Sequence, residues 1–234
     1  MLKSLSLTIL ALCTSLSAWA ESTQKYMLVS ENKIKFDQYG EFFEKQKSIV
    51  AAYEAYGKLS IYSFYGNRMW LNVSANSLNT FEQLQLSTAH SSALGDNLNS
   101  NITERSTFIL KYRPELSFLP NKPRIKPEDI KYVRKMRFYI KPTKVNEALA
   151  VMAEFKKLFQ QHKIQTVVKV YTGFVDEGLP YIDIFRFGKS AEDYHRYEDF
   201  VNKTFGYQVL GKLMQPFAQA LAGEEVDEGK VIIF

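Results

Sequence analysis

Glu192, His195 and Asp199 are the one place in this chain where an imidazole has carboxylates at helical spacing on both sides. At i−3 and i+4 the three share a helical face. Glu-x-x-His binds metal in carboxylate-bridged di-iron proteins, but there it occurs twice and with further carboxylates. Here it occurs once, which reads as a solvated charged face. His162 closes a predicted helix, where a cation suits the negative end of the helix dipole. His90 stands among Ser87, Thr88 and Ser91 without an acidic residue at helical spacing. Cys13 is the only cysteine, so a chain processed beyond it has no thiol for nucleophilic, redox or metal chemistry. Nucleophile-elbow, phosphate-loop, zincin and dinucleotide fingerprints are all absent, which argues against the commonest hydrolases, NTPases and metalloproteases. The run Gly223-Glu224-Glu225-Val226-Asp227-Glu228-Gly229 lacks the alternating ligands of a calcium loop and reads as a solvated acidic turn. The motifs indicate no metal and no cofactor, and they leave the catalytic residues, if the chain has any, unknown.

The first twenty residues have the layout of a cleaved secretory signal. Lys3 precedes the apolar run Leu5 to Leu16, and Ala18-Trp19-Ala20 supplies small residues at both recognition positions before Glu21. The apolar run is too short and too polar for a membrane anchor. The expectation is therefore a periplasmic or secreted protein starting at Glu21. Loss of Lys3 takes Lys+Arg from 30 to 29 against 25 Asp+Glu, a formal charge of +4. These charges are mixed along the chain, without the basic block that nucleic-acid binding calls for. After residue 20 no stretch is long and apolar enough to span a bilayer.

The hydrophobic pattern then runs twice. Tyr26–Ile34 alternates like a strand, Phe36–Tyr56 has helical spacing, and Leu59–Tyr65 and Arg68–Ala75 flank Gly66-Asn67, a pair suited to a tight hairpin. Asn79–Leu98 is weakly helical, and Thr107–Tyr112 is a strand. Residues 114–130 carry Pro114, Pro120, Pro123 and Pro127 and read as an extended connector. The second pass begins at Val133–Ile140. A helix follows from about Thr143, then the hairpin Thr166–Phe174 and Tyr181–Phe187. A helical region from Ser190 to about Ala222 should break near Gly206 and Gly211, and the last strand lies in Val226–Phe234. The expected division is a signal over 1–20, units over 21–113 and 131–234, and a linker over 114–130.

Two βαββαβ units in that order resemble the ferredoxin-like fold and, more specifically, the dimeric α+β barrel group. That group includes antibiotic-biosynthesis monooxygenases and haem-degrading enzymes. The resemblance implies an α+β chain in which two ferredoxin-like units pack sheet to sheet as an intramolecular barrel. Such a chain would be a monomer with an internal pseudo-dimer, each unit having strand order 4-1-3-2. Each sheet then turns one face to helices and one inward, and alternation assigns the faces. Met69, Leu71, Val73 and Ala75 take the helix side, leaving Trp70 and Asn72 inside. Ile182 and Ile184 do the same for Tyr181, Asp183, Phe185 and Phe187. Met136, Phe138 and Ile140 leave Arg137, Tyr139 and Lys141 inward, and Lys169 and Tyr171 join from the neighbouring strand. Trp70, Asn72, Arg137, Tyr139, Lys169, Tyr171, Tyr181, Asp183 and Phe185 are thus the candidate ligand-binding set, with Arg137 and Asp183 as cross-strand neighbours.

The haem-degrading branch uses an Asn on the first strand, a Trp ending the third and a His on the second helix. Asn32 and His90 match loosely, whereas Ala75 occupies the Trp position. The leading functional expectation is an exported small-molecule-binding or accessory protein. The alternatives are a cofactor-free or haem-dependent monooxygenase-like enzyme and a structural interaction module without a ligand.

Overall fold

A computed structural model describes residues 26–42, 44–45, 58–75, 100–175 and 178–233. Eight strands close into a barrel. They are β1 (Tyr26–Ile34), β2 (Lys58–Phe64), β3 (Arg68–Ala75), β4 (Ile102–Tyr112), β5 (Tyr132–Ile140), β6 (Val168–Val175), β7 (Tyr181–Gly188) and β8 (Leu221–Ile233). Three helices follow the later strands: α1 (Val145–Gln161), α2 (Ala191–Phe205) and α3 (Tyr207–Ala220). The expected helices over 36–56 and 79–98, and His90 with them, fall largely or wholly outside the described residues. The strands run around the barrel as β1-β3-β2-β8-β5-β7-β6-β4, every neighbouring pair antiparallel. Each group of four therefore has the order 4-1-3-2, and the groups meet at β2–β8 and β4–β6.

Strand alternation sorts the apolar residues into three layers. Met27, Val29, Trp70, Leu110, Val133, Tyr181, Phe185 and Phe187 fill the barrel interior. Leu28, Leu59, Ile61, Met69, Leu71 and Val73 cover the outside of the first four strands together with Phe42. Val168, Val170, Ile182 and Ile184 cover the outside of the last four, against Ala148, Val151, Met152 and Phe159 of α1 and Phe217 and Ala220 of α3. Turn chemistry follows the residue types. Gly66 and Asn67 take φ of 83° and 63° in the β2–β3 turn, a left-handed backbone that both tolerate. Ser190 Oγ caps α2 by accepting from the Asp193 amide at 3.1 Å.

Several local expectations are corrected. The connector is packed rather than free: Phe118 exchanges backbone hydrogen bonds with Val168, Pro127–Asp129 forms a 3-10 turn, and Leu116, Phe118, Ile125 and Ile130 are buried. Four apolar side chains in a proline-rich stretch have sheet faces to cover, and that decides the path. Gly211 does not break α3, because one helical glycine costs only about 1 kcal/mol and the helix buries Phe217 and Ala220. Thr143 does not cap α1, which is entered through the 3-10 turn Pro142–Lys144. Lys141 lies past the end of β5, exposed, donating to the Gln219 carbonyl at 2.9 Å. The acidic run 223–229 is not a turn but half of β8, since Glu225, Asp227 and Glu228 stand opposite Arg137, Lys135 and Arg134 of β5.

Candidate functional site

Among the described residues two places hold chemistry: the barrel interior and the layer between β5–β7 and the helices. Inside the barrel, register places Arg137 opposite Asp183. The guanidinium grips the carboxylate with two bonds, Nε donating to Oδ1 and Nη2 to Oδ2, each at 2.8 Å. Asp183 is fully buried. Burial works against the Arg137 charge, but the hydrogen bonds and negative charge of Asp183 outweigh it and hold the guanidinium above its ordinary pKa. The Arg137 guanidinium also lies 4.1 Å from the Tyr181 ring centre, a cation–π contact.

Trp70, also fully buried, meets Phe64, Phe108 and Phe185 edge-on at 5.4–6.0 Å between ring centres. Tyr171 packs on Phe185, and buried Lys169 sets its ammonium 5.8 Å above Phe187. Asn72 donates to the Ser60 carbonyl at 3.3 Å, and Tyr139 donates to Glu225 at 2.9 Å. All nine expected residues thus face the interior or its rim. One opening there, bounded by Lys58, Ser60, Lys169 and Tyr171, is about 10 Å³, the room of one water.

Sequence reading missed the second charged group in this interior. Lys135, 1% exposed, reaches Asp227 at 2.6 Å and lies 4.2 Å from the Trp70 ring centre. Asp227 also pairs with Arg68, which pairs in turn with Glu31 at 3.3 Å. Burial pushes the Lys135 ammonium down to about 8. The signal was available: Lys135 is two residues before Arg137 and therefore shares its face.

The larger opening lies outside the barrel wall. A cavity of about 300 Å³ sits between β5–β7 and the three helices. Met136, Phe138, Val168, Val170 and Ile184 form its sheet side, Met152, Phe155 and Phe159 of α1 one wall, and Leu210, Met214 and Phe217 of α3 another. Its polar groups are few. Arg186 of β7 and Glu198 and Asn202 of α2 make one strip, with Lys156 apart from them. Glu198 accepts from Arg186 Nη1 at 2.7 Å, Tyr194 OH at 3.1 Å and Arg134 Nη1 at 3.1 Å. Burial raises the Tyr194 phenol to about 12, so it remains a donor at neutral pH.

Among the described residues the expected metal ligands are not gathered. His195, half exposed, lies 3.7 Å from Glu198 and 3.6 Å from Glu228 on the outer surface, and His162 is exposed against Phe205. Among the described residues no three His, Cys, Asp or Glu are grouped to hold a metal ion. Haem needs an axial imidazole, thiolate, phenolate or thioether, and the described cavity lining offers only the methionines from that set. Asn32 is buried and accepts from Arg105 Nε at 2.8 Å, while Ala75 packs into the helix-side layer of the first four strands. Among the described residues the set that the haem-degrading enzymes use is not assembled, and His90 lies outside them. Among the described residues no helix is long and apolar enough to cross a membrane.

No protein-family model and no curated protein matches the chain. Solved structures share its fold. An anthrone oxidase-like protein matches at TM-score 0.68 and 14% identity, over 91% of this chain and 93% of that one. A candidate monooxygenase from Lactobacillus acidophilus matches at 0.59 and 11%, over 89% and 94%. Chlorite dismutase from Candidatus Nitrospira defluvii matches at 0.57 and 14%, over 92% and 94%. At such identities the likeness is one of fold: this chain has the α+β barrel architecture of those proteins.

Proposed function

We propose that this chain is a monooxygenase-like protein that takes a compact, largely apolar small molecule into the cavity beneath α1, α2 and α3. The observation that carries the reading is the cavity itself: about 300 Å³, walled by Phe, Met, Leu and Val, with one polar strip. Ligand sites have that composition, mostly apolar with a few placed polar groups. The anthrone oxidase-like and monooxygenase-like folds support oxidation over passive carriage. The lack of an imidazole, thiolate or phenolate in the described lining directs the reading to the cofactor-free branch. Native mass spectrometry of the purified mature protein, with oxygen-uptake assays on phenolic aromatics, tests it. A bound apolar guest and oxygen uptake are expected. Absence of both would overturn the reading.

A second, smaller site is favoured by Trp70 Nε1 and Asn72 Oδ1, which are buried in the barrel interior without hydrogen-bond partners. A small polar guest there would lose affinity in Trp70→Ala and Arg137→Ala but not in His162→Ala.

We also propose export with cleavage after Ala20, supported by Lys3, the apolar run and Ala18-Trp19-Ala20. Residues 21–113 and 131–234 are read as two ferredoxin-like units joined by 114–130, the chain being its own pseudo-dimer. The shared strand order 4-1-3-2 supports this.

A further inference from the structure

Resting on the reading of the outer cavity as a ligand site, we infer that its ligand is electrically neutral and carries a hydroxyl group, which Asn202 of α2 reads. Among the described residues four polar side chains line that cavity: Lys156, Arg186, Glu198 and Asn202. Three of them are engaged. Arg186 Nη1 donates to Glu198, which also accepts from Arg134 and Tyr194. Arg134 has a second carboxylate in Glu228 at 3.5 Å, so two guanidiniums and two carboxylates balance along this wall. Lys156 stands apart on α1, donating to the Pro114 and Glu115 carbonyls at 2.9 and 3.2 Å.

Asn202 differs. Its side-chain amide makes no hydrogen bond among the described residues, and the residue is half-buried, lining the cavity rather than sealed behind it. Tyr194, Glu198 and Asn202 follow one another at four-residue steps, a single row on α2 beside the buried Val201 and Phe205. The core-facing stripe of a helix ordinarily carries apolar residues, and Asn is a poorer helix former than Leu. Tyr194 and Glu198 satisfy each other at 3.1 Å. Asn202, the last of the row, has the cavity before it. With the wall's charges balanced, a carboxylate entering this enclosure finds no uncommitted cation, and a bare charge in apolar surroundings is costly. An amide offers a neutral donor and a neutral acceptor, and a hydroxyl can use either. The rest of the lining is methyl, methylene, thioether and phenyl surface, which suits the body of such a ligand.

The test is anaerobic equilibrium dialysis of the full protein at pH 7 with three probes of nearly one shape: 2-naphthol, 2-methylnaphthalene and 2-naphthoate. Excluding oxygen keeps turnover from consuming the naphthol. Naphthol should bind at least about tenfold more tightly than naphthoate, given the cost of enclosing the charge. Asn202→Leu should leave the affinity for methylnaphthalene within about twofold, which also shows that the variant folds. The same variant should shift the ratio of the naphthol and methylnaphthalene affinities about fivefold toward methylnaphthalene, the worth of one neutral hydrogen bond. Asn202→Ala should shift it the same way. Leu210→Trp, which fills the cavity, should exclude all three probes. A ratio unmoved by both Asn202 variants, or naphthoate binding as tightly as naphthol, with Leu210→Trp still excluding the probes, would overturn the hydroxyl assignment and leave the cavity reading intact. Binding of no probe, or binding indifferent to Leu210→Trp, would remove the cavity reading and this inference together.

Discussion

Arg137 and Asp183 are stable inside the barrel only as a pair. Each has left water, and each finds in the other the compensation that the surrounding aromatic rings supply only in part. Asp183→Asn keeps the shape and removes the charge, so it should destabilise the fold by about 3–5 kcal/mol, the cost of a stranded buried partner. Arg137→Met with Asp183→Leu should recover most of that loss, and urea unfolding of the two variants and the unmodified protein measures both. Lys135 makes a different prediction, in pH. Its folded pKa is about 8 against an ordinary 10.5, so between those values the unfolded chain binds more protons than the folded one. Stability must then rise with pH through that window, the penalty being full below pH 8. Relative to Lys135→Met, the unmodified protein should gain about 2 kcal/mol between pH 7.5 and 9.5, read from urea midpoints. A flat difference would place the charged lysine in water. Both pairs belong to a face that alternation makes legible: Trp70, Arg137, Asp183 and Phe185 fall inside as the pattern of their apolar neighbours requires. Lys135 obeys the same alternation, yet a lone lysine in a strand is ordinarily expected to face water. Only the carboxylate of Asp227, 92 residues further along the chain, accounts for its burial, and the pairing of β5 with β8 has no local signature.

That distance in sequence explains why the first half of β8 was hidden, although its end was expected within Val226–Phe234. Four carboxylates in seven residues, between two glycines, carry every local mark of a solvated turn. They form a strand because β5 offers Lys135 and Tyr139 to the inward carboxylates, and Arg134 to the outward Glu228. Gly229 has its own reason. It stands where β8 crosses onto β2, and a Cβ there would run into the Ser63 carbonyl and lie 2.7 Å from the Phe64 Cα. Backbone cannot yield as a flexible side chain can, so Gly229→Ala should destabilise by at least about 2 kcal/mol, beyond ordinary overpacking at its lower end. Gly211 is the control. It is exposed in α3, and a methyl group on its Cα would meet nothing within 4 Å, so Gly211→Ala should stabilise by about 0.5–1 kcal/mol. Melting temperatures that moved the same way for both variants would refute this account of the seam. The other elements were legible where the pattern is local: the Gly66-Asn67 turn, the helix start at Ser190 and the break at Gly206. The cavity was not, because Met136, Phe155 and Leu210 have the same apolar signature whether they meet each other or leave a gap.

At the scale of the molecule, the two groups of four strands have no edges left to themselves. β2 runs beside β8 and β4 beside β6, so each group closes the other's sheet, and unpaired strand edges are what natural sheets avoid. The interior layer draws on both groups at once, with Trp70 and Phe64 from one touching Phe185 and Lys135 from the other. The ion ladder Glu31–Arg68–Asp227–Lys135 crosses the same boundary. Separating the groups would therefore expose the aromatic interior of both and strand a buried lysine. Unfolding of the mature protein should accordingly be one cooperative transition. The chain has two tryptophans, so protein prepared from Glu21 onward, without Trp19, reports Trp70 alone by fluorescence, at the boundary between the groups. α1, α2 and α3 put helicity into the second group. The midpoint in urea by fluorescence should coincide with that by far-ultraviolet circular dichroism. Two units that merely share a linker would lose fluorescence and helicity at separate denaturant concentrations, and that result would dissolve the barrel as a thermodynamic unit even if its strands pair as described.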